Sequence, residues 1–187
     1  VYKRQQPIIR DPQLLKKADY VVMESTYGDR NHTEVWSYTE NLAKIIDDTM
    51  ARGGNVVIPA FAVGRTQELL YYIKRFLVNG TVPGLEKVPV YIDSPLGIKA
   101  TRIYAGCGAD CYDDETKALA RSGDLFEFDS LHIAETVEQS MEINELTGCN
   151  IIISASGMCE AGRIRHHLKN NLYKACLLYT SPSPRDS

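Results

Sequence analysis

The chain has 187 residues with 21 basic and 24 acidic side chains, which gives a formal net charge of −3. This length is enough for one domain of ordinary size with a real hydrophobic core. The acidic balance excludes a simple basic sleeve around nucleic acid, but a local basic face is compatible with it because charges are screened over about 10 Å. No apolar run approaches the roughly 20 residues of a membrane-spanning helix, so we expect no membrane partner.

The two ends of the chain differ from the rest. Val1–Gln5 and Cys176–Ser187 look like translated adaptor DNA, so we expect Gln6–Ala175 to be native sequence and an internal piece of a longer protein. That piece holds 18 basic and 23 acidic residues, and eleven of the acidic ones lie between Asp110 and Glu145. An acidic back and a phosphate-binding face can therefore coexist.

Short, apolar, mostly β-branched segments predict strands, and helical spacing of apolar residues predicts helices between them. The predicted strands are Tyr20–Glu24, Asn55–Pro59, Val88–Asp93, Leu125–Phe128 and Asn150–Ser154. The predicted helices are Val35–Met50, one around Leu69–Leu77, Pro95–Tyr104, Asp113–Ala120, Ala134–Leu146 and Glu160–Leu172. This alternation predicts an α/β fold with a mostly parallel sheet covered by helices.

Four cysteines of the native piece, Cys107, Cys111, Cys149 and Cys159, are irregularly spaced. A domain of this size does not need disulfides for stability, so we expect reduced thiols and a cytoplasmic location.

Two predicted strands end in the same way. Val56–Ile58 is followed by small residues and then by Arg65 at a helix start, and Ile151–Ile153 is followed by Ser154–Met158 and then by Arg163. In an open α/β sheet such loops gather at one edge, where ligands bind. Backbone N–H groups at helix starts and arginine side chains both suit a phosphate.

Four segments in this order and spacing carry a resemblance to a known family. They are Glu24–Gly28 (ESTYG), Pro59–Leu69 (PAFAVGRTQEL), Val90–Pro95 (VYIDSP) and Ser154–Arg163 (SASGMCEAGR). Together they resemble the β-CASP family of metallo-β-lactamase-fold nucleases, and the resemblance covers Gln6–Ala175. It implies that residues 6–30 are the edge of a metallo-β-lactamase lobe, with one of its strands, and that residues 31–175 are an incomplete β-CASP domain capping the active-site cleft.

The resemblance also implies a chemistry. Members of the family use two zinc ions to activate a water that attacks an RNA phosphodiester. The histidine and aspartate ligands of the family lie outside the part that matches this chain, so the resemblance implies no metal ligand here. We therefore expect this piece alone to be inactive and the longer parent to be a zinc-dependent ribonuclease.

Glu24 matches the first acidic motif of the family. The resemblance implies a catalytic supporting role, in which this carboxylate orients a general-acid histidine that lies outside the chain. The alternative is an ordinary carboxylate at a strand end that caps the turn at Ser25–Thr26.

Arg65 is a candidate substrate-binding residue, because a helix start and a guanidinium both favour the RNA backbone. The alternative is a structural tie to Asp93 or Glu68. We interpret Asp93 itself as a residue that organises the loop edge, for example by pairing with Arg65.

Further candidate substrate-binding residues lie at the end of the last strand. Ser154, Ser156, Gly157 and Met158 offer hydroxyl groups and backbone amides to a phosphate. We expect Arg163 to face the cleft and bind the substrate as well, and the alternative is that it faces the solvent. The alternative is a tight turn in which Gly157 supplies permissive backbone and Ser156 caps the next helix.

His166 and His167 are neighbours on a predicted helix, and neighbours point about 100 degrees apart, so they do not suit one metal ion. We expect one of them to be packed and the other exposed.

The sequence thus predicts the substrate-clamping cap of a zinc-dependent RNA phosphodiester hydrolase. The alternative is a non-catalytic β-CASP scaffold subunit of an RNA-processing complex. The sequence does not distinguish RNA from DNA as the partner, and it leaves homodimer formation open.

Overall fold

A computed structural model describes residues 7–11, 13, 16–25, 28–29, 35–107, 109–121, 123–173 and 178–179. The helices are α1 Val35–Ala51, α2 Arg65–Asn79, α3 Pro95–Ala105, α4 Asp114–Ala120, α5 Val137–Ile143 and α6 Ile164–Asn171. The strands are β1 Val56–Pro59, β2 Val90–Asp93, β3 Leu131–Ile133, β4 Ile151–Ser154 and β5 Leu178–Tyr179. Helices and strands alternate for most of the chain, as predicted.

The strands form one parallel sheet in the order β3-β2-β4-β1-β5. The central register joins Val56 to Ile151 and Val90 to the same Ile151, so β4 lies between β1 and β2. β5 contributes two residues, which pair with Val56 and Val57 at one edge. The α/β class and the parallel sheet predicted from the sequence are confirmed.

Both faces of the sheet are covered, which is why the central strands are mostly apolar up to their last residues. On one face, Val56, Val90 and Ile151 pack in a large core that includes Leu70 of α2 and Ile98 of α3. On the other face lies a smaller core, formed by Val57, Ile152, Ala134, Ile143 and Ile164. The helices α5 and α6 therefore cover the face opposite α2 and α3.

Two predicted strands are absent from the described part of the chain. Tyr20–Glu24 belongs to no strand or helix there, and Val22 is 99% exposed. A strand needs a neighbour to satisfy its backbone groups, and none of the described strands pairs with this segment. Its apolar residues, Tyr20 to Met23, are instead exposed.

The prediction of a strand at Leu125–Phe128 is also wrong, because the strand of this region is β3 at Leu131–Ile133. Leu125 and Phe126 are buried, but the Phe126 N–H donates to Asp124 Oδ1 at 2.9 Å, which is a local turn. The apolar pair therefore reports burial rather than strand conformation.

Helix α5 begins at Val137, later than predicted, because Thr136 caps it. The Thr136 hydroxyl accepts from Gln139 N, and the Gln139 side chain accepts from Thr136 N at 3.0 Å. Helix α6 likewise begins at Ile164 rather than Glu160.

Candidate substrate-binding edge

Three neighbouring strands end at the same level of the sheet. Ser154 at the end of β4 pairs with Pro59 of β1 and with Asp93 of β2. Because the strands are parallel, the segments that follow them, 60–64, 94 and 155–163, meet at one edge. We call this region the strand-end edge.

The loop after β1 is fixed by Gln67, whose side chain is fully buried. Its Nε2 donates to Thr101 Oγ1 at 2.8 Å and to the Ala62 carbonyl at 3.2 Å, and its Oε1 accepts from Gly64 N at 2.7 Å. A single buried side chain therefore holds the loop that leads into α2.

Arg65 is the first residue of α2 and lies at this edge with 44% of its side chain exposed. Its Nη1 donates to Glu68 Oε2 at 2.7 Å, within the same helix. Burial raises the pKa of the Glu68 carboxyl, and the Arg65 guanidinium opposes that rise. From the sequence, Asp93 and Glu68 were the two possible ion-pair partners of Arg65. Arg65 pairs with Glu68, whereas Asp93 pairs with Arg163.

The loop after β4 begins with a buried serine. Ser154 is 1% exposed, and its hydroxyl donates to the Asp93 carbonyl at 2.8 Å, which ties β4 to β2. Ser156 is half-buried, and its N–H donates to the Ala161 carbonyl at 3.3 Å. Since α6 begins at Ile164, the alternative of Ser156 as the cap of that helix is wrong.

Gly157 and Met158 occupy opposite environments in this loop. A Cβ on the buried Gly157 would lie 3.1 Å from the Phe61 ring and 3.3 Å from the Phe61 backbone nitrogen. The glycine therefore lets the loops after β1 and β4 approach each other closely. Met158 is 42% exposed and is open to a ligand.

Arg163 precedes α6, and its guanidinium is largely used inside the chain. Nη1 donates to Asp93 Oδ1 at 2.7 Å and to the Ala134 carbonyl at 3.1 Å, and Nη2 donates to the Glu135 carbonyl at 3.0 Å. Arg163 therefore joins the loop after β4 to β2 and to the segment after β3. One-fifth of its side chain remains exposed.

Asp93 is the fully buried centre of this arrangement. Its Oδ2 accepts from Ser140 Oγ at 2.5 Å and from His167 Nε2 at 2.6 Å, while Oδ1 accepts from Arg163. Burial raises the pKa of this carboxyl, but the hydrogen bonds from His167, Ser140 and Arg163 outweigh burial, so the pKa lies below its ordinary value. We expect Asp93 to be a carboxylate in the folded protein.

His167 also belongs to this cluster, although we expected only packing or exposure for it from the sequence. It is fully buried, its neighbour His166 is exposed, and its Nδ1 lies 2.9 Å from Asn144 Oδ1. The Asn144 amide is oriented by its Nδ2, which donates to the Ser140 carbonyl at 3.1 Å. A sequence signal was available, because Arg163 and His167 are four residues apart and such residues share a helix face.

Glu24 is exposed and lies in the segment that forms no strand. Two of its motif neighbours, Thr26 and Tyr27, lie outside the described residues. The proposed orienting role of Glu24 thus stays a prediction.

No group of three or more histidine, cysteine, aspartate or glutamate side chains among the described residues is arranged to hold a metal ion. Asp93 and His167, the buried pair of ligand type at this edge, already have protein partners on the atoms that would coordinate. The residues of this edge therefore do not fit zinc. Cys107 and Cys111 are free thiols. Within the described ranges, no helix is long and apolar enough to cross a membrane.

Comparison with known proteins gives the family. A family model described as the Beta-Casp domain matches residues 66–176, which is more than half of the chain. The chain therefore belongs to the β-CASP family, as its four ordered motifs indicated.

Individual relatives are similar along most of this chain. Ribonuclease TTHA0252 of Thermus thermophilus is 34% identical over 170 residues, which cover 90% of this chain and 38% of the relative. The transcription termination factor FttA of Methanosarcina mazei is 29% identical over 173 residues, covering 90% of this chain and 26% of the relative. Endoribonuclease ysh1 of Schizosaccharomyces pombe is 28% identical over 172 residues, covering 92% of this chain and 21% of the relative. The chain thus spans well under half the length of each.

Proposed function

We propose that this chain is the substrate-clamping β-CASP part of an RNA-processing nuclease and that the strand-end edge binds the RNA backbone. One observation carries the proposal: β1, β4 and β2 end in register and bring the loops before Arg65 and Arg163 to one edge. Two of the relatives are named ribonuclease or endoribonuclease, which supports RNA as the substrate. DNA is the alternative substrate, because contacts to phosphate alone do not distinguish it from RNA.

The residues of the edge would divide the work. Arg65 supplies an exposed guanidinium at the first turn of α2, where the helix dipole also favours an anion. Met158 and Ser156 line the accessible part of the loop after β4, and Gly157 sets how closely that loop approaches Phe61. Ser154 has its hydroxyl committed to the Asp93 carbonyl, so its contribution is to hold the two strand ends in line.

Hydrolysis of the phosphodiester is proposed for a longer protein. Zinc would supply the activated water in that protein, and its ligands would come from outside the described residues. Glu24 is proposed to orient a general-acid histidine there. A cytoplasmic location is a further prediction, which fractionation of the source cells tests. Whether the chain forms a homodimer is decided by size-exclusion chromatography with light scattering.

The RNA-binding proposal is tested by the anisotropy of a fluorescent single-stranded RNA, titrated with the chain over a series of salt concentrations. Arg65→Ala should weaken binding and lower the salt slope by about one phosphate contact. The matched control is Arg52→Ala, because Arg52 is exposed and lies near the opposite end of β1, with Nε donating to the Asp48 carbonyl at 3.0 Å. Equal salt slopes for the two variants would contradict the assignment of this edge.

A scaffold function is the second candidate, because the Methanosarcina relative is named a termination factor rather than a nuclease. The coding sequence on both sides of this chain decides between the two. Zinc-ligand motifs on both sides, together with RNA cleavage that a chelator abolishes, would support the nuclease. Replacement of those ligands, with RNA binding retained, would support the scaffold.

A further inference from the structure

We propose that Asp93 and His167 are positioning residues that aim the Arg163 guanidinium at a phosphate of the bound RNA. The inference rests on the proposed function, because it takes the RNA backbone as the ligand of the strand-end edge. It adds a specific role for a buried aspartate and a buried histidine, neither of which can touch the RNA.

The first step is the donor inventory of Arg163. A guanidinium has five N–H groups. Three of them donate to Asp93 Oδ1, the Ala134 carbonyl and the Glu135 carbonyl. The Nε–H and one N–H of Nη2 have no acceptor among the described residues. The proposed phosphate contact is at this remaining edge, where two N–H groups would bind two oxygens of one phosphate. One-fifth of the Arg163 side chain is exposed.

The second step is how the direction of that edge is set. If Oδ2 had no partner, the Asp93 carboxylate could rotate about its Cβ–Cγ bond. The Arg163 guanidinium, which is bound to Oδ1, would then change its direction as well. Ser140 Oγ at 2.5 Å and His167 Nε2 at 2.6 Å both donate to Oδ2, so the carboxylate plane is fixed. Oδ1 is thereby held 2.7 Å from Arg163 Nη1.

The third step is that His167 is itself held in place. Its Nδ1 lies 2.9 Å from Asn144 Oδ1, and Asn144 Nδ2 donates to the Ser140 carbonyl at 3.1 Å. A closed ring of hydrogen bonds thus links β2, α5 and α6 through Asp93, His167, Asn144 and Ser140. The orientation of Arg163 depends on residues of three elements that lie behind the edge.

Stability alone does not account for such a cluster. Burying an ion pair costs the hydration of both charges. Replacing such a pair by apolar side chains of similar volume is therefore often neutral or stabilising. A buried carboxylate can, by contrast, hold a partly exposed arginine in a fixed orientation for a second anion. The arginine then loses its side-chain entropy on folding rather than on binding, which lowers the entropic cost of binding the anion.

The positioning is tested first without RNA. In ¹H–¹⁵N NMR spectra of the full chain, the Arg163 side-chain N–H groups should exchange slowly and give resolved signals. His167→Gln should broaden or shift them, and the control His166→Gln should not, because His166 is the exposed neighbour on the same helix. Ser140→Ala is a milder second variant, which keeps the test usable if His167→Gln does not fold. Unchanged Arg163 signals in a folded variant would overturn the inference.

The second test is a double-mutant cycle on RNA binding. Arg163→Ala should weaken binding about tenfold, as expected for a charge-assisted contact to phosphate. If His167 acts through Arg163, then His167→Gln weakens binding in the unaltered chain and has no further effect in the Arg163→Ala background. Additive losses would show that His167 acts on folding or on another part of the edge, and would overturn its role. Absence of RNA binding by the unaltered chain would instead refute the proposed function, since the NMR test reports on Arg163 independently.

Discussion

Gly162 should be the least replaceable glycine of the strand-end edge. It has a φ of 80°, and a Cβ built on it would lie 2.5 Å from the carbonyl oxygen of Ala155 and 3.0 Å from its carbonyl carbon. These are backbone atoms, which cannot turn away as a flexible side chain could. Gly162→Ala must therefore displace the backbone on one side of the loop that carries Ser156 and Met158.

The expected loss follows from two contributions. The left-handed conformation costs a residue with a Cβ about 1–2 kcal/mol. The Ala155 carbonyl also accepts the Ile164 N–H at 3.2 Å, and Ser156 N donates to the Ala161 carbonyl at 3.3 Å, so moving the loop strains two hydrogen bonds. If one of them is lost, about 1–3 kcal/mol is added. We expect a total loss of about 2–5 kcal/mol.

The assay is urea unfolding followed by far-UV circular dichroism, with Gly53→Ala as the matched control. Gly53 has a similar φ of 67° but no heavy atom within 4 Å of its built Cβ. Its variant should therefore lose only the conformational contribution of about 1–2 kcal/mol. Equal losses in the two variants would refute the close approach of Gly162 to Ala155, and a smaller loss at Gly162 would refute the loop geometry altogether.

Two further predictions concern buried polar residues. Asp93→Asn should destabilise the chain by about 3–5 kcal/mol at neutral pH, because it leaves three donors of a buried cluster without their carboxylate. Folding lowers the pKa of Asp93, so its ionised carboxylate stabilises the fold fully at pH values above the unfolded-state pKa of about 4. This stabilisation is lost as the pH falls from about 4 through the pKa of the folded state. The urea midpoints of the variant and the unaltered chain should therefore converge in acid. Gln67→Leu should cost about 2–4 kcal/mol, because it leaves Gly64 N and the Ala62 carbonyl without their partner. Hydrogen exchange should then accelerate in residues 62–64 while the core strands stay protected, and uniform acceleration would contradict a local role.

The sequence determined the features that depend on neighbours along the chain. The β-branched runs at Val56–Ile58 and Ile151–Ile153 are strands because their apolar residues can be buried on both faces of a sheet. Pro95 starts α3, as predicted for a proline after a strand end. The structure adds that Ser94 caps this helix by accepting from Gly97 N at 3.1 Å. The family also followed from the sequence, because its four motifs are short and each is continuous.

The tertiary structure decided the features that depend on distant residues. Asp93 pairs with Arg163 rather than Arg65, because the register that joins Asp93 to Ser154 brings the loop after β4 over the end of β2. His167 became part of the site for the same reason, since α6 lies over the face on which the Asp93 side chain is buried. Tyr20–Glu24 has the composition of a strand but pairs with none of the described strands, and Leu125–Phe126 is buried in a turn. Apolar composition records that a segment is suited to burial, whereas pairing and charge partners depend on which segments the sheet brings side by side.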